Sequence, residues 1–85
     1  MFKSQGVYLS GSYDDINTSG FYLVSDTLSN KPANCWTCLI VFNVAGNNSQ
    51  IAICLTEPIG SSVRGKIYAR CYSSAYSSWT AWTEH

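Results

Sequence analysis

The segment CLIVFNVAGNNSQIAICLT, residues 38–56, decides the fold class of this chain. Its first part, Cys38 to Val44, is an apolar run of the kind typical of a central strand covered on both faces. Gln50 to Thr56 alternates weakly between the two faces of a second strand. The intervening segment, Ala45 to Asn48, contains Gly and Asn, which tolerate positive φ. It therefore predicts the turn of a β-hairpin.

Shorter strand patterns lie on either side of this hairpin. Phe21 to Ser25 is aromatic and β-branched, Lys66 to Tyr72 alternates between two faces, and Ser78 to Thr83 follows a Ser-rich connection. Val7 to Leu9 is a candidate edge strand, and Ser12 to Ile16 fits one helical turn capped by its first residue. The sequence therefore predicts an all-β fold, a small antiparallel sheet or sandwich of about five to six short strands.

The composition restricts both size and partners. The chain has 85 residues, which fits a single domain over residues 1–85 that is small enough to need help from partners or oligomerisation. Charged residues make up 12% of the chain and aromatic residues 14%, a mixture typical of binding surfaces built from rings, hydroxyls and amides. The net charge of zero argues against nucleic-acid binding. The longest apolar run, Leu39 to Phe42, is too short for membrane insertion, and Met1 to Gly6 lacks the core of a secretory signal.

The titratable residues do not form a catalytic set. His85 is the only histidine and the last residue, where we expect fraying. Asp14 and Asp15 are adjacent and diverge in an extended segment, whereas glycoside hydrolysis needs two carboxylates that face each other. We therefore expect a protein without enzyme activity and without a cofactor.

The four cysteines allow three interpretations. Cys35 and Cys38 form a Cys-x-x-Cys pair, while Cys54 and Cys71 lie within apolar strands. A zinc ribbon would use a second Cys-x-x-Cys pair, and a thioredoxin-like site would place the motif at the start of a helix. Structural thiols are the expectation and no metal site is assigned, while a disulfide and zinc stay open as alternatives.

Four sequence blocks occur in order along the chain. They are DDINTSGFYLV at residues 14–24, NKP at residues 30–32, KIYAR at residues 66–70 and WTAW at residues 79–82. Together they resemble the pyocin-knob family of bacteriophage tail-fibre and tail-derived bacteriocin domains, over roughly residues 10–85. The segment Cys35 to Cys38 departs from the Gly, Ser and small apolar residues usual there. The resemblance marks as structural motif residues Asn17, Gly20, Tyr22, Pro32, Tyr68 and Arg70.

The resemblance also implies a biological setting. It predicts a virion tail fibre made in the bacterial cytoplasm, assembled as a homotrimer. A bacterial cell-surface polysaccharide or another surface receptor is the expected external partner. Two functions stay open: the domain attaches to surface glycans, or it connects and trimerises the fibre without touching a receptor.

Aromatic residues near the end of the chain are the candidate ligand contacts. One Trp together with one Tyr would form a platform for stacking a sugar ring, and the candidates are Tyr72, Tyr76, Trp79 and Trp82. On a regular strand two tryptophans three residues apart point to opposite faces, so one is expected in the core and the other exposed or at a subunit interface. Arg70 is expected to be a structural clamp that stacks on aromatic rings and donates to carbonyls.

Overall fold

The computed structural model describes residues 2–57 and 59–85, and the strands in this part of the chain form one sheet. The strands are β1 (Ser4–Tyr8), β2 (Gly20–Val24), β3 (Thr37–Val44), β4 (Asn47–Cys54), β5 (Ile67–Ser73), β6 (Ser78–Trp79) and β7 (Thr83–Glu84). Their spatial order is β1-β2-β3-β4-β5-β6, with β7 also paired to β5. The all-β prediction is confirmed, as a single mostly antiparallel sheet rather than a sandwich.

The predicted hairpin forms between β3 and β4. The pairing runs from Thr37 opposite Cys54 to Val44 opposite Asn47, so the turn itself contains two residues. These are Ala45, with φ of 53°, and Gly46, with φ of 80°. Two consecutive positive φ values are the signature of the tight turns that match the twist of paired strands. The turn is shorter than predicted because Asn47 and Asn48 already belong to β4.

An edge strand and a helical turn also form near the predicted positions. β1 pairs with β2 in parallel, and Tyr13–Asp15 forms one turn of 3₁₀ helix capped by the Ser12 side chain. Gly20, the first residue of β2, has φ of 148°. A Cβ there would collide with the Lys3 carbonyl oxygen and lie 2.8 Å from the Gln5 Cγ atom. The absence of a side chain at Gly20 therefore lets β1 approach β2.

The core lies on one face of the sheet, which we call the inner face. Two long connections, residues 9–19 and 25–36, cross this face and bury Tyr13, Ile16 and Leu28 completely. They pack on inward-pointing strand residues such as Leu39 and Val41. The connections therefore form the second layer of the domain, and no α-helix is present in the described residues.

The opposite face, here called the outer face, is not covered by any described segment. β3 alternates between the two faces: Leu39 and Val41 are fully buried, whereas Phe42 is 48% exposed. The prediction that β3 is covered on both faces is therefore wrong for the single chain. The apolar run places apolar side chains on both faces of β3, but the described connections of the chain cover only the inner face.

The last predicted strand, Ser78 to Thr83, is interrupted. Tyr72 pairs with Trp79 and Ala69 pairs with Thr83, so three steps along β5 correspond to four steps along the last segment. One extra residue is thus inserted between β6 and β7, as in a β-bulge. The bulge shifts the alternation by one position, and Trp82 follows Trp79 onto the inner face. The prediction that the two indoles point to opposite faces is wrong for this reason.

Cys35 and Cys54 form a disulfide, with Cα atoms 5.9 Å apart. Cys54 lies opposite Thr37 on the inner face, and Cys35 precedes Thr37 by two residues, so both sulfurs reach the same side of the sheet. The expectation of four structural thiols is therefore wrong for this pair, while Cys38 and Cys71 are free.

Two further expectations from the sequence concern the loop at Pro58 and membrane insertion. Pro58, expected at the start of a Gly/Ser loop, lies outside the described residues, as does Met1. Among residues 2–57 and 59–85, no helix has the length and apolar character needed to cross a membrane.

The disulfide can be tested by counting thiols. Unfolding in guanidinium with iodoacetamide and no reductant should label two cysteines, Cys38 and Cys71, and prior reduction should raise the count to four by mass spectrometry. Reduction should lower the unfolding free energy by about 3 kcal/mol because it releases a cross-linked loop of moderate length. Four labels without reductant would contradict the disulfide. Cys38→Ser is the control and should leave the stability effect of reduction unchanged.

Candidate functional site

A row of directly paired residues crosses the inner face at one end of the sheet. Asn43 on β3 lies opposite Asn48 on β4, Asn48 lies opposite Tyr72 on β5, and Tyr72 lies opposite Trp79 on β6. Directly opposed residues point to the same face and have neighbouring Cβ atoms. The row therefore places two amides and two aromatic rings side by side. The Tyr72 and Trp79 ring centroids are 5.7 Å apart.

The polypeptide before β2 is held above this row by side-chain amides. Asn43 donates from Nδ2 to the Asn17 carbonyl oxygen at 2.6 Å, and Asn48 donates from Nδ2 to the Ile16 carbonyl oxygen at 3.2 Å. Gln50, one inward position further along β4, donates to the Tyr13 carbonyl oxygen at 2.7 Å. These bonds satisfy carbonyls of an irregular segment that has few ladder partners of its own.

A concave site of about 290 Å³ opens between the row and this segment. We call it the cleft. It is lined by Asp14, Asn17, Asn43, Gly46, Asn48, Tyr72 and Trp79. Both walls are part of the folded core layer, so the cleft is preformed in the single chain.

Arg70 forms the support beneath the cleft. Its guanidinium carbon lies 3.8 Å from the centroid of the Trp79 ring and 4.7 Å from that of Trp82. Nε donates to Gln50 Oε1 at 2.8 Å, and Nη2 forms an ion pair with Asp14 Oδ1 at 2.8 Å. The side chain is only 5% exposed, and this burial lowers the pKa of Arg70, an effect that Asp14 opposes. The planar guanidinium thus fixes the orientation of Trp79 on the cleft wall.

Asn48 holds an unused acceptor in the cleft wall. The residue is 4% exposed, and its Oδ1 atom has no hydrogen-bond partner among the described residues. The bond from Nδ2 to the Ile16 carbonyl fixes which end of the amide carries the oxygen. A buried acceptor without a partner costs about 1–3 kcal/mol, so a ligand hydroxyl that reaches it would recover that energy.

The cleft is close to neutral. Asp14 contributes the one carboxylate among its lining residues, and Arg70 pairs with one oxygen of it while Asn30 donates to the other at 3.1 Å. Among the described residues, no group of three or more His, Cys, Asp or Glu side chains is placed to hold a metal ion. The lining offers amide and carboxylate oxygens as acceptors beside two aromatic faces.

The structure separates the four candidate ligand residues into two groups. Tyr72 and Trp79 line the cleft and are half-buried. Tyr76 is 81% exposed in the turn before β6, and it does not line the cleft. Trp82 packs against both buried clusters instead of facing a ligand site.

Trp82 is half-buried and is held by contacts with the fold. Its ring meets the Tyr13 ring edge-on, with centroids 5.6 Å apart, and Nε1 donates to the Asn30 carbonyl oxygen at 2.8 Å. Burial raises the pKa of the Tyr13 phenol, which shares a hydrogen bond with Thr37 Oγ1 at 2.6 Å. These contacts give Trp82 a structural role and leave Trp79 as the tryptophan of the cleft.

The motif residues occupy different parts of the domain. Asn17 lines the cleft, and its carbonyl oxygen accepts a hydrogen bond from Asn43 on β3. Tyr22 donates to the Thr18 carbonyl and meets Tyr8 edge-on at 5.3 Å. Tyr68 packs beside the disulfide, and Pro32 is half-buried in the connection between β2 and β3.

Four cleft residues are not among the candidates that the sequence indicates: Asp14, Asn43, Gly46 and Asn48. From the sequence, Asp14 is a candidate acid, part of a capped helical turn and the first residue of a resemblance block, and none of these features points to a binding cleft. Asn43 interrupts an otherwise apolar strand pattern, and a polar residue at an inward position is a signal that could have marked it. Asn48 was assigned to the turn, which concealed its position on β4.

Comparison with known protein families, with curated proteins and with solved structures finds no match to this chain. The resemblance described from the four sequence blocks therefore stays a prediction.

The support from Arg70 predicts a specific stability pattern. Arg70→Lys keeps the charge but loses the planar contact with both indoles and one or more hydrogen bonds, and should lower the unfolding free energy by about 1–3 kcal/mol in urea titrations. Lys66→Ala is the control, because its ion pair with Glu84 is exposed and should contribute less than about 1 kcal/mol. Equal effects of the two substitutions would contradict the role given to Arg70.

Proposed function

We propose that this chain is a knob domain of a phage tail fibre or tail-derived bacteriocin, and that its cleft attaches the particle to a polysaccharide on the host cell. The observation that carries the proposal is the wall of Tyr72 and Trp79 beside the unpaired oxygen of Asn48. Sites for small polar molecules combine apolar rings with a few placed polar groups, and a sugar presents one apolar ring face surrounded by hydroxyls.

The charges of the cleft favour neutral sugars. Arg70 is paired with Asp14, and the described residues that line the cleft include no lysine or arginine to bind a sugar carboxylate or phosphate. The oxygens of Asn48 and Asp14 accept hydrogen bonds, which sugar hydroxyls donate. A neutral hexose unit with adjacent hydroxyls fits this arrangement better than an acidic sugar.

The setting proposed from the sequence agrees with these features. A disulfide between Cys35 and Cys54 suits a protein that works on a virion surface, outside the reducing cytoplasm in which it is made. The proposed activity is binding without catalysis or a cofactor, and Asp14 is the one carboxylate in the cleft lining. In a homotrimeric fibre, each copy would present its own cleft.

A structural connector without receptor contact is the second candidate function. The observation in its favour is the outer face of the sheet, where apolar side chains such as Phe21 and Phe42 stay exposed. A connector needs surfaces for its neighbours, whereas it needs no preformed polar cleft. Glycan arrays and adsorption to whole cells distinguish the two functions, because a connector should show no strain-selective binding.

The attachment role predicts different effects for two tyrosines. Once an array has identified a bound oligosaccharide, Tyr72→Ala should weaken its affinity by about 1–2 kcal/mol, roughly five- to thirtyfold, because it removes half of the aromatic wall. Tyr76→Ala removes the same side chain from an exposed turn outside the cleft and should change the affinity less than about twofold. Calorimetric titration measures both, with thermal unfolding as the check on folding. Loss of binding on Tyr76→Ala with none on Tyr72→Ala would place the site elsewhere.

A further inference from the structure

The outer face of the sheet carries ordered rows of apolar residues. The register places Phe21, Ile40, Ile51 and Ala69 side by side across β2, β3, β4 and β5. The neighbouring row contains Leu23, Cys38, Ile53 and Ile67. Phe42 continues the surface on β3, where it stacks on Phe2 with ring centroids 5.2 Å apart.

This face is larger than the apolar patches usual on a monomer. Phe21 and Ile67 are each 40% exposed, and neighbours such as Val7 and Leu55 expose similar or larger fractions. The large apolar side chains of this face each expose 38–55% of their surface, which together equals about three fully exposed side chains; they are Phe2, Val7, Phe21, Leu23, Phe42, Leu55 and Ile67. At about 150–250 Å² for one large ring, this is roughly 450–750 Å² of apolar surface, where the largest patch of a typical monomer is about 300–600 Å². A stable protein interface buries about 800 Å² on each partner, so this one face is nearly sufficient for an interface.

The centre of this face carries no charge, and the titratable His85 lies at its margin, where its backbone N–H donates to the Ile67 carbonyl oxygen at 2.7 Å. The two complete rows contain apolar residues and Cys38 only, and the charged residues nearest in sequence, such as Lys66 and Glu84, pair with each other at the end of the sheet. A neutral partner with an equally apolar surface is therefore required, since a charged group buried here would find no counterion. The outer face of another copy of this chain is such a neutral, apolar surface.

The outer face contains two shallow concavities. One, of about 370 Å³, lies along β4 and β5 and includes Ile51, Ala69 and Cys71. The other, of about 400 Å³, lies along β1, β2 and β3 and includes Val7, Leu23 and Cys38. Sheets pack face to face when side chains of each inner surface enter the gaps of the other. The concavities provide such gaps on a surface that would otherwise be flat.

We infer that the outer face is the self-association surface of this protein, and that it is covered by the outer faces of further copies of the same chain, either two copies packed sheet against sheet or three copies around a common axis. The apolar pattern of β3, which is typical of a strand buried on both faces, is then satisfied by the assembly. The inference concerns a surface separate from the cleft and does not rest on glycan binding. The sequence resemblance predicts a homotrimer but names no contact surface, and the inference assigns that surface to the outer face.

The test measures molar mass and thiol protection on the intact chain. Light scattering after size-exclusion chromatography should give two or three times the monomer mass of 9.4 kDa, with either value supporting the inference. Phe42→Lys places a charge on the outer face and should weaken association at least about tenfold. Tyr76→Lys makes the same change in the exposed turn and should leave the mass unchanged.

A second measurement needs no substitution. Cys71 is a free, exposed thiol in one concavity of the outer face, so its alkylation in the folded wild type should slow as the protein concentration rises. Monomeric mass at every concentration, or association with Cys71 alkylation independent of concentration, would overturn the inference. The Phe42→Lys variant should bind a monovalent sugar with unchanged affinity, because Phe42 lies on the face opposite to the cleft. This measurement separates a failure of the self-association surface from a failure of the proposed glycan site.

Discussion

The guanidinium of Arg70 ties the sheet to the 3₁₀ turn that packs over its inner face. From β5 it contacts Asp14 in the 3₁₀ turn, Gln50 on β4, and both indoles of the last segment. Burial of a charge is costly, and the cost is offset here because Nε donates to Gln50, Nη2 forms an ion pair with Asp14 and both indoles lie against the guanidinium. The same contacts orient Trp79 toward the cleft and bring Asp14 to its other wall. Core packing and the shape of the cleft therefore depend on one side chain.

The strands and the hairpin were predictable because they depend on local patterns. Alternation, an apolar run and a turn rich in Gly and Asn act over a few residues, and the structure forms β3, β4 and β5 close to the expected limits. The single helical turn capped by Ser12 is local in the same way. The missed boundary at Asn47 and Asn48 also has a local cause, since residues with positive φ are needed at only two turn positions.

The errors share a different cause, which is dependence on register. Trp79 and Trp82 face the same side only because one residue is inserted relative to β5, and nothing within their own four-residue block specifies that insertion. Cys35 reaches Cys54 because the β3–β4 register places Cys54 opposite Thr37. Of the cleft residues, Tyr72, Trp79 and Asn17 were identified from sequence, whereas Asn48 gained its position from pairing with both neighbours.

The two faces of the sheet differ in what they carry. The inner face carries the core and, at one end, the cleft, whereas the outer face carries apolar rows without a described cover. Copies packed through their outer faces would keep every cleft on the side away from the interface. Several linked sites that engage one polysaccharide surface bind far more tightly than one, even when each contact is weak. Under the proposed attachment role, a small neutral cleft with two aromatic rings would therefore suffice if the opposite face holds the copies together.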